Sequence, residues 1–237
     1  MKIEIWSDIA CPYCYIGKRK LELALAEFPN KNNVEIIWNS YELNPDRPKV
    51  MSEASFYEYF SEGHNMSIEQ TKDTLHKLEV LAKEVGLDYD FSKAKAVNTS
   101  DALRLVKLAK EYGVADQVEE LLFKAYFIDG ESIADKQLLL QIASTVNIGN
   151  EEVRKTLDNN TYLDQIKKDM EYSENELGLE YIPFYRFNEK HIIQGSIAVE
   201  DYLSVLKKAY AEWESGDSSG ESDLISGQSC SIDGVCG

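Results

Sequence analysis

An α/β fold interrupted by a large helical insertion is predicted by three observations. Residues 2–7 and 34–41 are short apolar runs rich in Ile and Trp that flank a helical pattern. Residues 51–177 show helical periodicity throughout, and residues 182–195 return to strand, turn and strand ahead of a final helix.

Taken in order, Lys2-Ile3-Glu4-Ile5-Trp6-Ser7 reads as the first strand. A helix carrying Leu21, Leu25 and Phe28 follows and runs down to Pro29, and Val34 to Tyr41 is the second strand. Two strands joined by one such helix form a βαβ unit with parallel strands and a right-handed crossover. Pro45 and Pro48 mark a loop. In the helical block, Leu75, Leu78, Leu81, Ala82 and Val85 share one face, and Ala102, Leu103, Leu105, Val106 and Ala109 form a second apolar set. Further helices are expected over 118–127, 136–146 and 162–177. Ser67-Ile68-Glu69-Gln70 has the form of a capping box, and Gly86 and Gly113 sit where helices stop. Ile182 to Phe187, a turn at Asn188-Glu189-Lys190 and His191 to Gly195 make a hairpin, followed by a helix over 199–213. Residues 215–229, rich in Ser, Gly and acid, read as a flexible linker. The resulting division is a discontinuous α/β domain over 1–50 and 178–214, an inserted helical subdomain over 51–177, and a flexible tail over 215–237.

With 237 residues, 43% apolar, 11% aromatic and 28% charged, the chain has the composition of a packed globular protein rather than a disordered one. Its 25 Lys+Arg against 42 Asp+Glu leave a net charge of −17, which argues against a nucleic-acid partner. No apolar run is long enough to span a bilayer, and Glu4 and Asp8 interrupt the stretch where a secretory signal needs an apolar core. No membrane association and a cytoplasmic location are expected. In a reducing compartment the pairs Cys11/Cys14 and Cys230/Cys236 read first as redox or metal chemistry.

Ser7-Asp8-Ile9-Ala10-Cys11-Pro12-Tyr13-Cys14 places a C-x-x-C at a strand-to-helix junction, with Pro12 at the first helical position. Cys11 therefore meets the positive end of a helix, which favours a sulfur anion, and Cys14 follows one turn later, more buried. A C-x-x-C alone also describes half of a zinc site or two core cysteines. The strand before, the helix after and the proline inside favour an attacking thiol, Cys11, and a resolving thiol, Cys14, with no metal site. Asp8 could relay a proton or, as an anion, raise the thiol pKa; a solvated loop or cap role is preferred. Trp6, Tyr13, Tyr15 and Phe184 are candidates to line an apolar groove at the thiols, Trp6 belonging rather to the core. His64, His76 and His191 carry no partner pattern and read as surface or filler residues.

The order of strand, C-P-Y-C, helix, strand, helical insertion, Ile182-Pro183 and closing helix resembles the DsbA branch of the thioredoxin-like oxidoreductases, and within it the cytosolic FrnE-like group. The resemblance covers residues 1 to about 213, its specific pieces being Cys11–Cys14, Asn98-Thr99-Ser100-Asp101-Ala102-Leu103-Arg104, and Ile182-Pro183-Phe184 with Gly195. It implies a thioredoxin-like fold with a large inserted helical subdomain. It also implies a cis proline at Pro183 that, with Pro12, Tyr13, Ile182 and Phe184, holds an extended substrate. Two departures stand out: Leu103 replaces a histidine usual in relatives, and the dipeptide Pro12-Tyr13 is typical of glutaredoxins. By that analogy the potential lies at roughly −200 to −230 mV.

The expected function is a dithiol-disulfide oxidoreductase or isomerase acting on protein or small-molecule disulfides, without a bound cofactor and with glutathione or thioredoxin as external reductant. Cys230 and Cys236, spaced C-x5-C beyond the linker, are expected to form an auxiliary redox pair that exchanges with Cys11. A flexible chain of this length reaches on the order of 20 Å. Two alternatives remain open: a glutathione-linked isomerase or transferase of the 2-hydroxychromene-2-carboxylate isomerase type, whose family has serine at the place of Cys11, and a zinc-binding or chaperone-like protein.

Overall fold

The computed structural model describes residues 1–50, 55–216, 221–232 and 236; the start of the predicted helical block at Met51 and part of the predicted linker lie outside the described residues. Strand β1 (Lys2–Ser7), helix α1 (Pro12–Glu27) and strand β2 (Glu35–Ser40) form the expected βαβ unit, with β1 and β2 parallel and Lys2 opposite Glu35. The helical block contains α2 (Phe56–Gly63), α3 (Ile68–Glu84), α4 (Ser100–Glu111), α5 (Ala115–Lys124), α6 (Lys136–Thr145), α7 (Asn150–Asp158) and α8 (Leu163–Asn175). After it come β3 (Tyr181–Ile182), β4 (Phe184–Phe187), β5 (His191–Gln194) and α9 (Val199–Ser215). The tail adds β6 (Leu224–Ser226) and β7 (Cys230–Ser231). The main sheet has the order β2-β1-β4-β5-β6, and β3 pairs with β7 apart from it.

Local chemistry explains the boundaries. Ser67 and Gln70 form the expected reciprocal cap on α3, and Ser55 with Glu58 forms a second such cap on α2, a helix the hydrophobic pattern did not single out. Gly86 and Gly113 follow α3 and α4 with φ of +80° and +69°, where a side chain would be strained. On the inner side of α1, Gly17 lets the helix close onto the sheet: a Cβ there would stand 2.4 Å from the Tyr185 hydroxyl. Aromatic rings then tie α1 to the helical block, Tyr15 stacking on Phe123 at 4.9 Å and Tyr89 on Phe127 at 4.7 Å.

The tail differs from the expected flexible linker. Its strand β6 joins the sheet parallel to β5, Ile193 opposite Ile225, and so covers what would otherwise be an edge strand. His191, expected at the surface, is 1% exposed. Its Nε2 lies 2.8 Å from Glu212 on α9 and its Nδ1 3.1 Å from Asp223 ahead of β6, so it fastens the start of the tail strand to the body of the protein. The physical reason is pairing: β5 presents free backbone groups, and a short apolar pair, Leu224-Ile225, is enough to take them up.

Candidate redox site

The site begins where β1 ends. Cys11 is the N-cap of α1 in extended conformation, its side chain making no cap bond, and Pro12 opens the helix. The Asp8 carboxylate accepts from Ala10 N at 3.2 Å and from Leu43 N at 2.8 Å, bridging the loop before Cys11 to the loop after β2. The capping role holds, but the expected solvated setting does not. Asp8 is buried, and burial pushes its carboxyl up against the lowering effect of these two amides. The Pro12 carbonyl accepts from the Tyr89 hydroxyl at 2.8 Å. Cys11 and Cys14 are both reduced. Burial pushes the Cys14 thiol well up, with the neighbouring Cys11 sulfur adding to the effect. Cys14 therefore persists as a thiol, which suits a group that acts second.

Across from α1, the Ile182–Pro183 bond is cis, and the Ile182 carbonyl lies 3.8 Å from Cys11 Sγ. The tail covers this place. Cys230 and Cys236 form a disulfide, Ile182 pairs antiparallel with Cys230, and Cys230 Sγ stands 3.2 Å from Cys11 Sγ. Cys11 and Cys230 are each 0% exposed. The expectation that Cys14 is the more buried thiol is thus not met, because the tail shields Cys11 as fully as the helix shields Cys14. The remaining expected groove residues divide. Tyr13 lines an apolar groove of about 580 Å³ with Met66, Leu78, Leu81, Gln228 and Cys236. Phe184 instead points into the core and packs edge-on against Trp6 at 5.5 Å, because strand alternation turns it away from the thiols.

Below the thiols lies a set of charged groups the sequence reading did not single out. Lys18 on α1, nearly inaccessible, sits among Glu22, Asp116 and Glu120, at 3.1 Å from the last. Glu119 is buried with one oxygen unpartnered among the described residues, and burial, opposed by Lys18, pushes it up to about 8. Glu42, beside Asp8, is pushed up to about 7 chiefly by burial. The pattern did hold a signal for Glu119: it falls on the buried stripe of α5 with Val118, Leu122 and Phe123, where a carboxylate is out of place. Between its ordinary value of 4.5 and about 8, the folded chain keeps a proton on Glu119 that the unfolded chain has lost. Rising pH therefore weakens the fold across that window. In Glu119→Gln this dependence disappears, so the variant's stability relative to the parent is expected to climb between about pH 5 and pH 8, by at most ~1.4 kcal/mol per unit. Denaturant titrations at the two ends of the window check it, and equal differences at both would show Glu119 ionised throughout.

Comparison with known proteins agrees with this architecture. Residues 2–207 match the DSBA-like thioredoxin domain. The probable DsbA oxidoreductase of Streptomyces coelicolor superposes with a TM-score of 0.84 at 31% identity, covering 100% of this chain and 98% of that one. The cytosolic disulfide reductase DsbM of Pseudomonas aeruginosa, also solved with GSH, gives a TM-score of 0.59 at 15% identity over 91% of this chain and 98% of that one. For 2-hydroxychromene-2-carboxylate isomerase the values are 0.61 and 14%, over 93% of this chain and 100% of that one. With a thioredoxin-type sheet, a helical insertion and a C-P-Y-C at the head of α1, the chain belongs to the DSBA-like thioredoxin domain family.

Proposed function

We propose that the chain is a dithiol-disulfide oxidoreductase or isomerase in which Cys11 attacks, Cys14 resolves, and the Cys230–Cys236 pair exchanges electrons with them. The observation that carries this reading is the 3.2 Å separation of Cys11 Sγ and Cys230 Sγ, with a reduced pair on one side and a disulfide on the other. Attack by the Cys11 thiolate forms a Cys11–Cys230 bond and breaks Cys230–Cys236, so that Cys236 leaves as the thiolate. Cys14 then loses its proton and attacks Cys11, releasing Cys230. Two electrons pass from the Cys11/Cys14 pair to the tail, and the reverse sequence returns them.

The tail lies as an extended substrate would: β7 pairs with β3 next to the cis Pro183, and Tyr13 and Pro12 flank it. Ile182, Pro183, Pro12 and Tyr13 are accordingly assigned to substrate holding, and Phe184 to the core beneath them. A cytoplasmic setting with glutathione or thioredoxin as the external thiol completes the reading; the DsbM structure with GSH gives a precedent on the same fold.

Cys14→Ser tests the assignment. Mixed with protein disulfides, it is expected to accumulate thiol-reversible adducts at Cys11, while the Cys11→Ser/Cys14→Ser double variant accumulates none. Under mild oxidation without substrate the single variant should instead form an intramolecular Cys11–Cys230 bond, at a rate independent of protein concentration. No adduct and no internal bond, by mass spectrometry, would rule out Cys11 as the nucleophile.

A further inference from the structure

A chamber of about 100 Å³ opens beside Pro12 and Cys236. Half of its lining residues are aromatic, yet Arg47 Nε and His64 Nε2 in its walls are buried without a hydrogen-bond partner among the described residues, and the Tyr126 hydroxyl, which accepts from Arg47, has its own proton left to donate. Arg47 is held over the Tyr59 ring at 4.5 Å, and its guanidinium lies alongside the fully buried Tyr126 hydroxyl. Burial pushes that phenol up to about 12, so it remains an O–H donor at neutral pH. His64 Nδ1 lies 2.9 Å from the Phe60 carbonyl, which can only accept; Nδ1 therefore carries hydrogen and Nε2 faces the chamber unpaired.

The Arg47 cation and the Tyr126 O–H donor converging on a small space suit an anion, while His64 Nε2, an acceptor in this tautomer, is left to a water or to a donor on the ligand. Asp8 is within electrostatic reach of Arg47, but its carboxylate is engaged by Ala10 and Leu43 and Glu42 accepts from Asn98 at 2.9 Å, and neither acid lines the chamber. The volume suits a carboxylate on a short methylene stem and is too small for a nucleotide. Its place relative to the sulfurs fixes its use. Cys230 stands where Cys11 attacks, so Cys236, which lines the chamber, stands where the leaving sulfur would be.

We infer that this chamber is a carboxylate subsite for the leaving thiol of a small-molecule disulfide, occupied when the tail is undocked, an inference that rests on the proposed role of Cys11. Cys11 bonds to the near sulfur, the substrate S–S bond breaks, and the leaving thiolate, its carboxylate against Arg47 and Tyr126, takes a proton from water. Cys14 then gives up its proton and displaces the second thiolate from Cys11. The reduced Cys11/Cys14 pair supplies both electrons, so one turnover needs no further reductant.

The test is single-turnover oxidation of the fully reduced chain by dithiodiglycolate and by its uncharged diamide. The net charge of −17 should repel the dianion, so without a subsite the diamide reacts faster. With the subsite, dithiodiglycolate is expected to react about tenfold faster or more. That ratio should collapse in Arg47→Met and Tyr126→Phe and recover in part in Arg47→Lys, which also guards against a merely misfolded variant. Reaction of both disulfides without preference for the acid overturns the subsite and leaves the thiol assignment standing. If neither reacts, the thiol assignment fails, and calorimetric binding of the unreactive thioether thiodiglycolate to Gly227→Val, in which a Cβ 2.4 Å from the Ser196 oxygen displaces the tail, decides the chamber alone. Binding lost on adding Arg47→Met retains the carboxylate site, and no binding to Gly227→Val removes it.

Discussion

Replacing Gly227 with valine is expected to make Cys11 react with iodoacetamide about tenfold faster or more, with the Cys230–Cys236 bond kept oxidised. The tail docks by direct backbone approach. Gly227 N donates to Gln194 O at 2.7 Å, and Ser196 N to Gln228 O at 2.7 Å. A Cβ on Gly227 would stand 2.4 Å from the Ser196 carbonyl oxygen and 2.8 Å from Ile197 Cγ2. Facing it, Gly195 has φ of +94°, and a Cβ there would stand 2.5 Å from the Gly227 oxygen. Neither obstacle is the end of a flexible side chain, so a valine must displace the strand and break these bonds. Gln228 and Cys230 follow directly in the chain, and Cys230 is what shields Cys11. His191 still holds Asp223, so the tail is expected to stay tethered while its far end swings clear. Alkylation mapped at Cys11 over time in the two proteins checks this. Equal rates would show that the shielding comes from elsewhere.

That docking also marks where the sequence stopped being legible. The βαβ unit, the hairpin and the closing helix follow from periodicity within each segment, and the C-x-x-C announces its own place at the head of a helix. The tail has no comparable internal signal. Ser, Gly and acid in 215–229 describe a solvated linker as well as a strand whose Gly227 is needed for close approach, and the choice depends on Gly195, 32 residues before Gly227. Phe184 differs from expectation for a related reason: its neighbour Pro183 faces α1 at Gly17, and one step along a strand reverses the side. The polar atoms around Arg47, Tyr126 and His64 come from three separate segments, and their shared chamber exists only once the helical block is folded against the Cys11 loop.

Arg104 carries the largest expected effect on stability: Arg104→Met should cost about 3–5 kcal/mol. This arginine belongs to the segment Asn98 to Arg104 and is buried on α4. Its Nη1 lies 2.9 Å from Asp101, its Nε 2.8 Å from the Thr161 carbonyl, and its Nη2 meets the carbonyls of Thr156 and Asn159. Those carbonyls belong to the last turn of α7 and the connection to α8, where a helix leaves acceptors without donors of its own. One guanidinium therefore satisfies the end of one helix and neutralises a buried acid on another. Methionine fills most of the volume but leaves Asp101 with Lys49 alone, at 2.9 Å, and strands the carbonyls. Lysine restores the charge without the fork and should recover only part of the loss. The consequence should reach the redox site, because α4 also carries Lys107, which pairs with Asp169, and Asp169 accepts from Ser40 N of β2 at 2.8 Å and from Trp6 Nε1 of β1 at 3.1 Å. Urea unfolding followed by tryptophan fluorescence, with the slope unchanged and the midpoint lowered, is the expected result. A loss under about 1 kcal/mol would mean that water takes over the stranded carbonyls and that α7 is not anchored through Arg104.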